Sequence, residues 1–159
     1  MNMHKKVDLL MNVMYNLFLA VVFTVLAQLI NVGRVILDGF FVDVVIGFIL
    51  EMLIALYLPF TKWGLAAAKA SGVRPGSLGF RAIVAGVTAT CFATLMSAAM
   101  SGYSVLIMQK LPVFVWIKAW MNILFVFIAV AFVCALFLLP QFVKLAKKML
   151  GVPEGEGHH

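Results

Sequence analysis

Charge is scarce in this chain. Charged residues make up 11% of its 159 positions, against about 25% in an average soluble domain, which excludes an ordinary water-soluble fold. Histidine is nearly missing: His4 is the only one outside the terminal pair His158 and His159, which with Gly157 reads as a tag remnant. Haem ligation by two imidazoles of one chain is thereby excluded, and metal-dependent hydrolysis has no ligand set. Cysteine is limited to Cys91 and Cys134, each inside an apolar run and without CxxC spacing, so neither a disulfide framework nor a zinc site is expected. Walker-type loops, GxSxG and HExxH are all absent. The expectation is a protein that is not an enzyme and carries no cofactor.

What the chain has in abundance is apolar sequence: 65% hydrophobic residues and a mean hydropathy of +1.12. Four runs are long enough to cross a hydrocarbon core about 30 Å thick: Leu9 to Asn31, Gly39 to Phe60, Phe80 to Met108 and Val113 to Leu139. The first is too long for a signal-peptide core of about 7–15 residues and is read as a retained helix. Gly72, Pro75, Gly76 and Gly79 mark the one real linker, and the connections after the first and third runs are short enough for antiparallel hairpins. Lys5, Lys6, Lys62, Lys69, Arg74, Arg81, Lys144, Lys147 and Lys148 fall on one side, against Arg34, Lys110 and Lys118 on the other. This bias places both termini in the cytoplasm, and the net charge of +6 is therefore topology information and not a sign of nucleic-acid binding. Trp63, Trp116 and Trp120 lie at run ends and are expected as interfacial anchors.

The two halves share an order of features. Phe23 to Gly33 (FTVLAQLINVG) aligns with Phe92 to Gly102 (FATLMSAAMSG), and both halves end in Leu-Pro, at Pro59 and Pro140, followed by a basic amphipathic turn. The expected fold is all-α, an integral membrane four-helix bundle of two tandem parallel helical hairpins related by an axis along the membrane normal. The first hairpin with its basic linker covers 1–79, the second 80–152, and 153–159 is expected to be a disordered tail. From Phe80 to Leu150, and most clearly in FVWIKAWMNILFVFIAVAFVCALFLLPQFVKLAKKML, the chain resembles a family of short bacterial two-helix membrane proteins of unknown function. The resemblance implies the fold and a bacterial inner membrane; it implies no activity. The first half departs from the family pattern by carrying Asp43 and Glu51 where apolar residues are usual, and by a shorter outer loop.

Those two acids are the main candidates for chemistry. Asp43, Gly47 and Glu51 are spaced i, i+4, i+8 on one helical stripe, which puts the carboxyls about 12 Å apart in depth. A carboxylate at bilayer mid-depth costs about 2.5–3.5 kcal/mol on insertion scales, so it needs a partner, a water cavity or a proton. Asp43 and Lys118 begin their helices at similar depth and are expected to pair as an outer gate or brace. Glu51 has no base at its depth; Thr24, Thr90, Cys91 and Thr94 are available only as neutral partners, so the neutral acid is expected there. The structural alternative is a satisfied interhelical hydrogen bond, worth about 0.6 kcal/mol on average.

Ala85, Ala89, Ala93, Ser97 and Ser101 form a ladder of small residues, and Ala82, Gly86, Thr90, Thr94, Ala98 and Gly102 an adjacent one, the usual means of close helix packing in lipid. Asn12 and Asn16 in the inner half of the first helix, with Gln28 and Asn31 at its outer end, outline a polar path past Glu51, or serve as interhelical glue. Met96, Met100, Met108 and Met121 are expected to pack and not to bind soft metals.

The leading expectation is a small bacterial transporter or channel, proton- or cation-coupled through Glu51, with Asn16, Thr24, Thr90 and Thr94 lining its pathway and a homo-oligomer as its working form. The competing expectation is a non-transporting scaffold, partner subunit or lipid-binding module whose basic rim engages anionic lipid at the cytoplasmic face. A quinone- or haem-associated redox subunit is the weakest of the three.

Overall fold

A computed structural model describes residues 3–152, the side chains of His4 and Val32 excepted; the expected tail over 153–159 lies outside the described residues. Six α-helices follow in order: α1 Met3–Val32, α2 Phe40–Tyr57, α3 Phe60–Ala70, α4 Leu78–Gly102, α5 Val113–Val133 and α6 Leu139–Met149. A π-helical stretch, Tyr103–Met108, extends α4, and a second, Cys134–Leu138, joins α5 to α6. Four spans are long and apolar enough to cross a membrane: Lys5–Asn31, Phe40–Tyr57, Leu78–Met108 and Val113–Met149. These are the four expected runs, and they mark a multi-pass membrane protein. Phe41, Tyr57 and Phe125, each at least 70% exposed, would be anomalous in water and are ordinary on a lipid-facing surface.

The four long helices close into a ring. Helix α1 packs on α2, α2 on α4, α4 on α5, and α5 back on α1, so the first and third spans, like the second and fourth, face each other across a diagonal. At the centre Phe23 of α1 stacks on Phe127 of α5, with ring centroids 4.3 Å apart and planes 9° from parallel. Leu19, Ala93, Met96 and Ile123 fill the space around this pair, each nearly or wholly inaccessible.

The two Leu-Pro endings are built differently. At Pro59 the chain breaks: Leu58 turns extended, and α3 starts afresh and lies along α4. The expected linker therefore contains a helix. Gly64 makes that packing possible, since a Cβ there would sit 2.8 Å from the Val84 carbonyl oxygen and 2.9 Å from Thr88 Oγ1. At Pro140 the helix continues, because proline in the first turn of α6 withholds an N–H and the π-helical stretch before it absorbs the register change. Helix α6 then docks on α1 through Phe142, whose ring lies 5.7 Å from that of Tyr15 and 5.8 Å from that of Phe18.

A candidate ion site between two cavities

Helix α2 turns Gly47 and Glu51 into the bundle and leaves Asp43 half-buried in its first turn. Two contacts fix the depth of Glu51. Asn16 Nδ2 donates to Met52 Sδ at 3.3 Å, and the Cβ position of Gly47 lies 3.8 Å from Ala20 Cβ. Glu51 thus sits level with Asn16 to Ala20, the middle of the 30-residue α1. Its side chain is 0% exposed, and neither carboxyl oxygen has a hydrogen-bond partner. Buried polar groups are paired in the great majority of cases, so a carboxyl with both oxygens unpaired calls for an explanation.

Cavities flank this layer on both sides. The one at the end of the bundle where α1 begins, labelled inner for reference, has about 300 Å³, is lined by Asn12, Tyr15, Asn16 and Thr88 together with aromatic Phe60 and Phe92, and reaches the exposed Lys62; the opposite end is labelled outer. The outer one, about 600 Å³, has Thr24 on α1, Asp43 on α2, Met100 and Ser101 on α4 and Ile123 on α5, and reaches the exposed Asp38 and Gln109. On each long helix the stretch between the two linings falls at one level: 20–23, 44–54, 93–99 and 124–130. The Phe23–Phe127 stack and Met96 fall in these stretches, and Glu51 lies in that of α2, toward its inner side and level with Asn16.

The outer acid has a built environment. The Gln28 carbonyl oxygen accepts from the Ile36 backbone N–H at 2.8 Å, which turns the amide so that Nε2 donates to Asp43 Oδ2 at 3.3 Å. One side chain therefore ties the short outer loop to the carboxylate. Lys118, the partner expected for Asp43, is elsewhere: it is exposed, its ammonium 6.0 Å from the Phe114 ring centroid. The reason is the ring order, which sets α2 and α5 on a diagonal, so similar depth does not bring the two side chains together.

The remaining candidates divide. Asn16 and Thr24 line the inner and outer cavities respectively. Thr90 is exposed on α4, and Thr94 Oγ1 donates to the Thr90 carbonyl oxygen at 2.6 Å; neither lines either of these two cavities and neither bonds Glu51. Thr24 does not bond Glu51 either, its hydroxyl being itself without a partner. The small ladder Ala85, Ala89, Ala93, Ser97 and Ser101 is buried throughout. Its function in packing is more specific than close approach alone. Trp116 Nε1 donates to the Ala98 carbonyl and Ser101 Oγ, both at 3.1 Å, and Trp120 Nε1 donates to Ser97 Oγ at 3.0 Å. These indoles, expected as interfacial anchors, clamp α5 to α4. The matched i, i+4 spacing of the tryptophans and the serines was the signal for it. The methionines do not assemble: Met96 is in the core, Met100 and Met108 line the outer cavity and Met121 is exposed. Among the described residues no three His, Cys, Asp or Glu side chains group as metal ligands.

Set against models of known protein families, curated proteins and solved structures, the chain matches none, so a functional reading rests on the site itself.

Proposed function

We propose that the chain is a small transporter or channel of the bacterial inner membrane, with Glu51 as the group that binds a proton or cation in transit. One observation carries this reading: a wholly buried carboxyl with no partner lies mid-depth on α2, in the stretch that separates the linings of two cavities at opposite ends of the bundle. A carboxylate so placed is tolerated only when a proton or cation joins it, and ionisable groups inside membrane spans characteristically mark ion and proton pathways. Asn16 in the inner lining and Thr24 in the outer one are the polar lining residues nearest to the dividing stretch on α1. The basic bias of the connecting segments supports cytoplasmic termini, which makes the larger cavity the external one. The tandem-hairpin reading is supported by the ring order, in which a two-fold axis along the bundle carries the first span onto the third and the second onto the fourth. A homo-oligomer is part of the proposal, with the exposed Thr90 hydroxyl offering a polar contact on an otherwise apolar face.

The test is ion flux into proteoliposomes, measured with pH- and cation-sensitive dyes, for the wild type and Glu51→Gln. Glutamine keeps shape and removes the titrating group, so the variant is expected to fold and elute as the wild type does while flux falls to background. Unchanged flux in Glu51→Gln sinks the proposal.

A second reading has its own observation. Lys62, Lys69, Arg74, Lys144 and Lys148 are exposed at one end of the bundle, the composition of a rim that holds anionic lipid, about 1 kcal/mol per residue near the surface. That scaffold reading gains if charge reversal at the rim abolishes the cellular phenotype and Glu51→Gln leaves it intact.

A further inference from the structure

The outer cavity has a chemical character that the transport reading leaves unused. Of the chain's six acids, Asp38 and Asp43 both line it, and no lysine or arginine does, although the molecule as a whole carries a charge of +6. A cleft of one sign walled by low-dielectric helices concentrates counter-charge, so this one gathers cations. Thr24, also in the lining, is 1% exposed, and its hydroxyl has no hydrogen-bond partner. A buried hydroxyl left unpaired is costly, and a ligand that reaches it removes the cost. Gln28 holds Asp43 in place by an amide whose other end is already occupied by the Ile36 N–H, so the carboxylate is oriented before any ligand arrives.

The rest of the lining decides what kind of cation fits. About 600 Å³ is far more than a dehydrated metal ion needs and lies within the usual range for small-molecule sites of about 300–1,000 Å³. No cluster of metal-ligating side chains is present among the described residues. Met100, Val105 and Ile123 supply an apolar wall facing the acidic rim. Carboxylates at one side, a free hydroxyl at the base and thioether and branched aliphatic surface between them match a molecule with an ammonium head and an alkyl body. We propose that the outer cavity binds a small organic ammonium ion, its head at Asp43 with Asp38 as the recruiting charge, its far end reaching toward Thr24. This deepens the transport reading and rests on it for the meaning of binding, though not for binding itself.

The test is equilibrium binding to the full chain in lipid nanodiscs by isothermal titration calorimetry. The probes are butylammonium, butane-1,4-diamine and tetraethylammonium, with butyrate and sodium as controls. At least one ammonium probe is expected to bind saturably, and butyrate and sodium to give no heat. Asp43→Asn is expected to weaken that binding by about tenfold or more, the loss of one charge-assisted contact. Asp38→Asn, on the exposed rim and safe for folding, is expected to weaken it less, and Thr24→Val to weaken it for the longest probe most. No binding by any ammonium probe, equal binding by butyrate, or affinities unchanged in both Asp43→Asn and Asp38→Asn would each overturn the assignment. Glu51→Gln separates the two ideas: retained ammonium binding with lost flux supports both, whereas retained flux removes the role of Glu51 and leaves the outer site to be judged on its own binding data.

Discussion

Single residues in this protein are legible to different degrees, according to whether their constraint is local. Glu51 stood out because an acid in an apolar run is conspicuous whatever surrounds it, and its burial follows from the stripe it shares with Gly47. Its expected hydroxyl partners did not materialise. Thr94 spends its hydroxyl on its own helix, one turn back, a choice that lipid favours because no water competes for the backbone carbonyl. Trp116 and Trp120, expected as interfacial anchors, also have specific acceptors on α4, which a generic preference of indole for the interface does not reveal. The difference can be measured. Trp120→Phe keeps the ring and removes the donor to Ser97, and is expected to cost about 0.5–1.5 kcal/mol of stability, read as a lower thermal midpoint in detergent. A pure interfacial anchor would be replaced by phenylalanine with no such loss.

At the scale of elements, the four apolar runs each became a helix long enough to cross a bilayer, among the described residues, because a bilayer demands one long apolar run per crossing. It had no purchase on α3, whose 11 residues are too few to span and whose Gly64 and small alanines look like linker. The information that makes α3 a packed helix lies across the contact, in Val84 and Thr88. Gly64→Ala is accordingly expected to lose about 1–3 kcal/mol, the usual cost of overpacking, as seen in a lower melting temperature. Gly47→Ala is the control, since a Cβ there meets Met100 and Ala20 at 3.7–3.8 Å, ordinary contact distances. Equal effects at the two glycines would contradict the tight crossing of α3 on α4. The two Leu-Pro endings carry a related lesson: identical dipeptides gave a break in one half and a π-helical continuation in the other, because α3 and α6 dock on different partners.

For the whole molecule, the ring order was the part least visible in the sequence. Pairing within each hairpin follows from loop length, but which hairpin faces pack together depends on side chains far apart in the chain, and so the Asp43–Lys118 pair was expected across what proved to be a diagonal. Orientation in the membrane is open to direct measurement. A cysteine placed at exposed Ser71, in a background lacking Cys91 and Cys134, is expected to react with a membrane-impermeant maleimide only in inverted vesicles. One at exposed Gln109 is expected to react only in intact spheroplasts. The opposite pattern would exchange the two cavities and make the acidic one internal.

The spans also differ in length. The third runs over 31 residues, about 46 Å at helical rise, while α2 has 18, about 27 Å, slightly less than a typical hydrocarbon thickness of about 30 Å. Lipid meets such a mismatch by compressing beside the short helix and tilting the long one. The bilayer is therefore thinnest along the helix that carries Glu51, and the elastic state of the surrounding lipid, through its thickness and acyl-chain length, sets how far that carboxyl lies from water on either side.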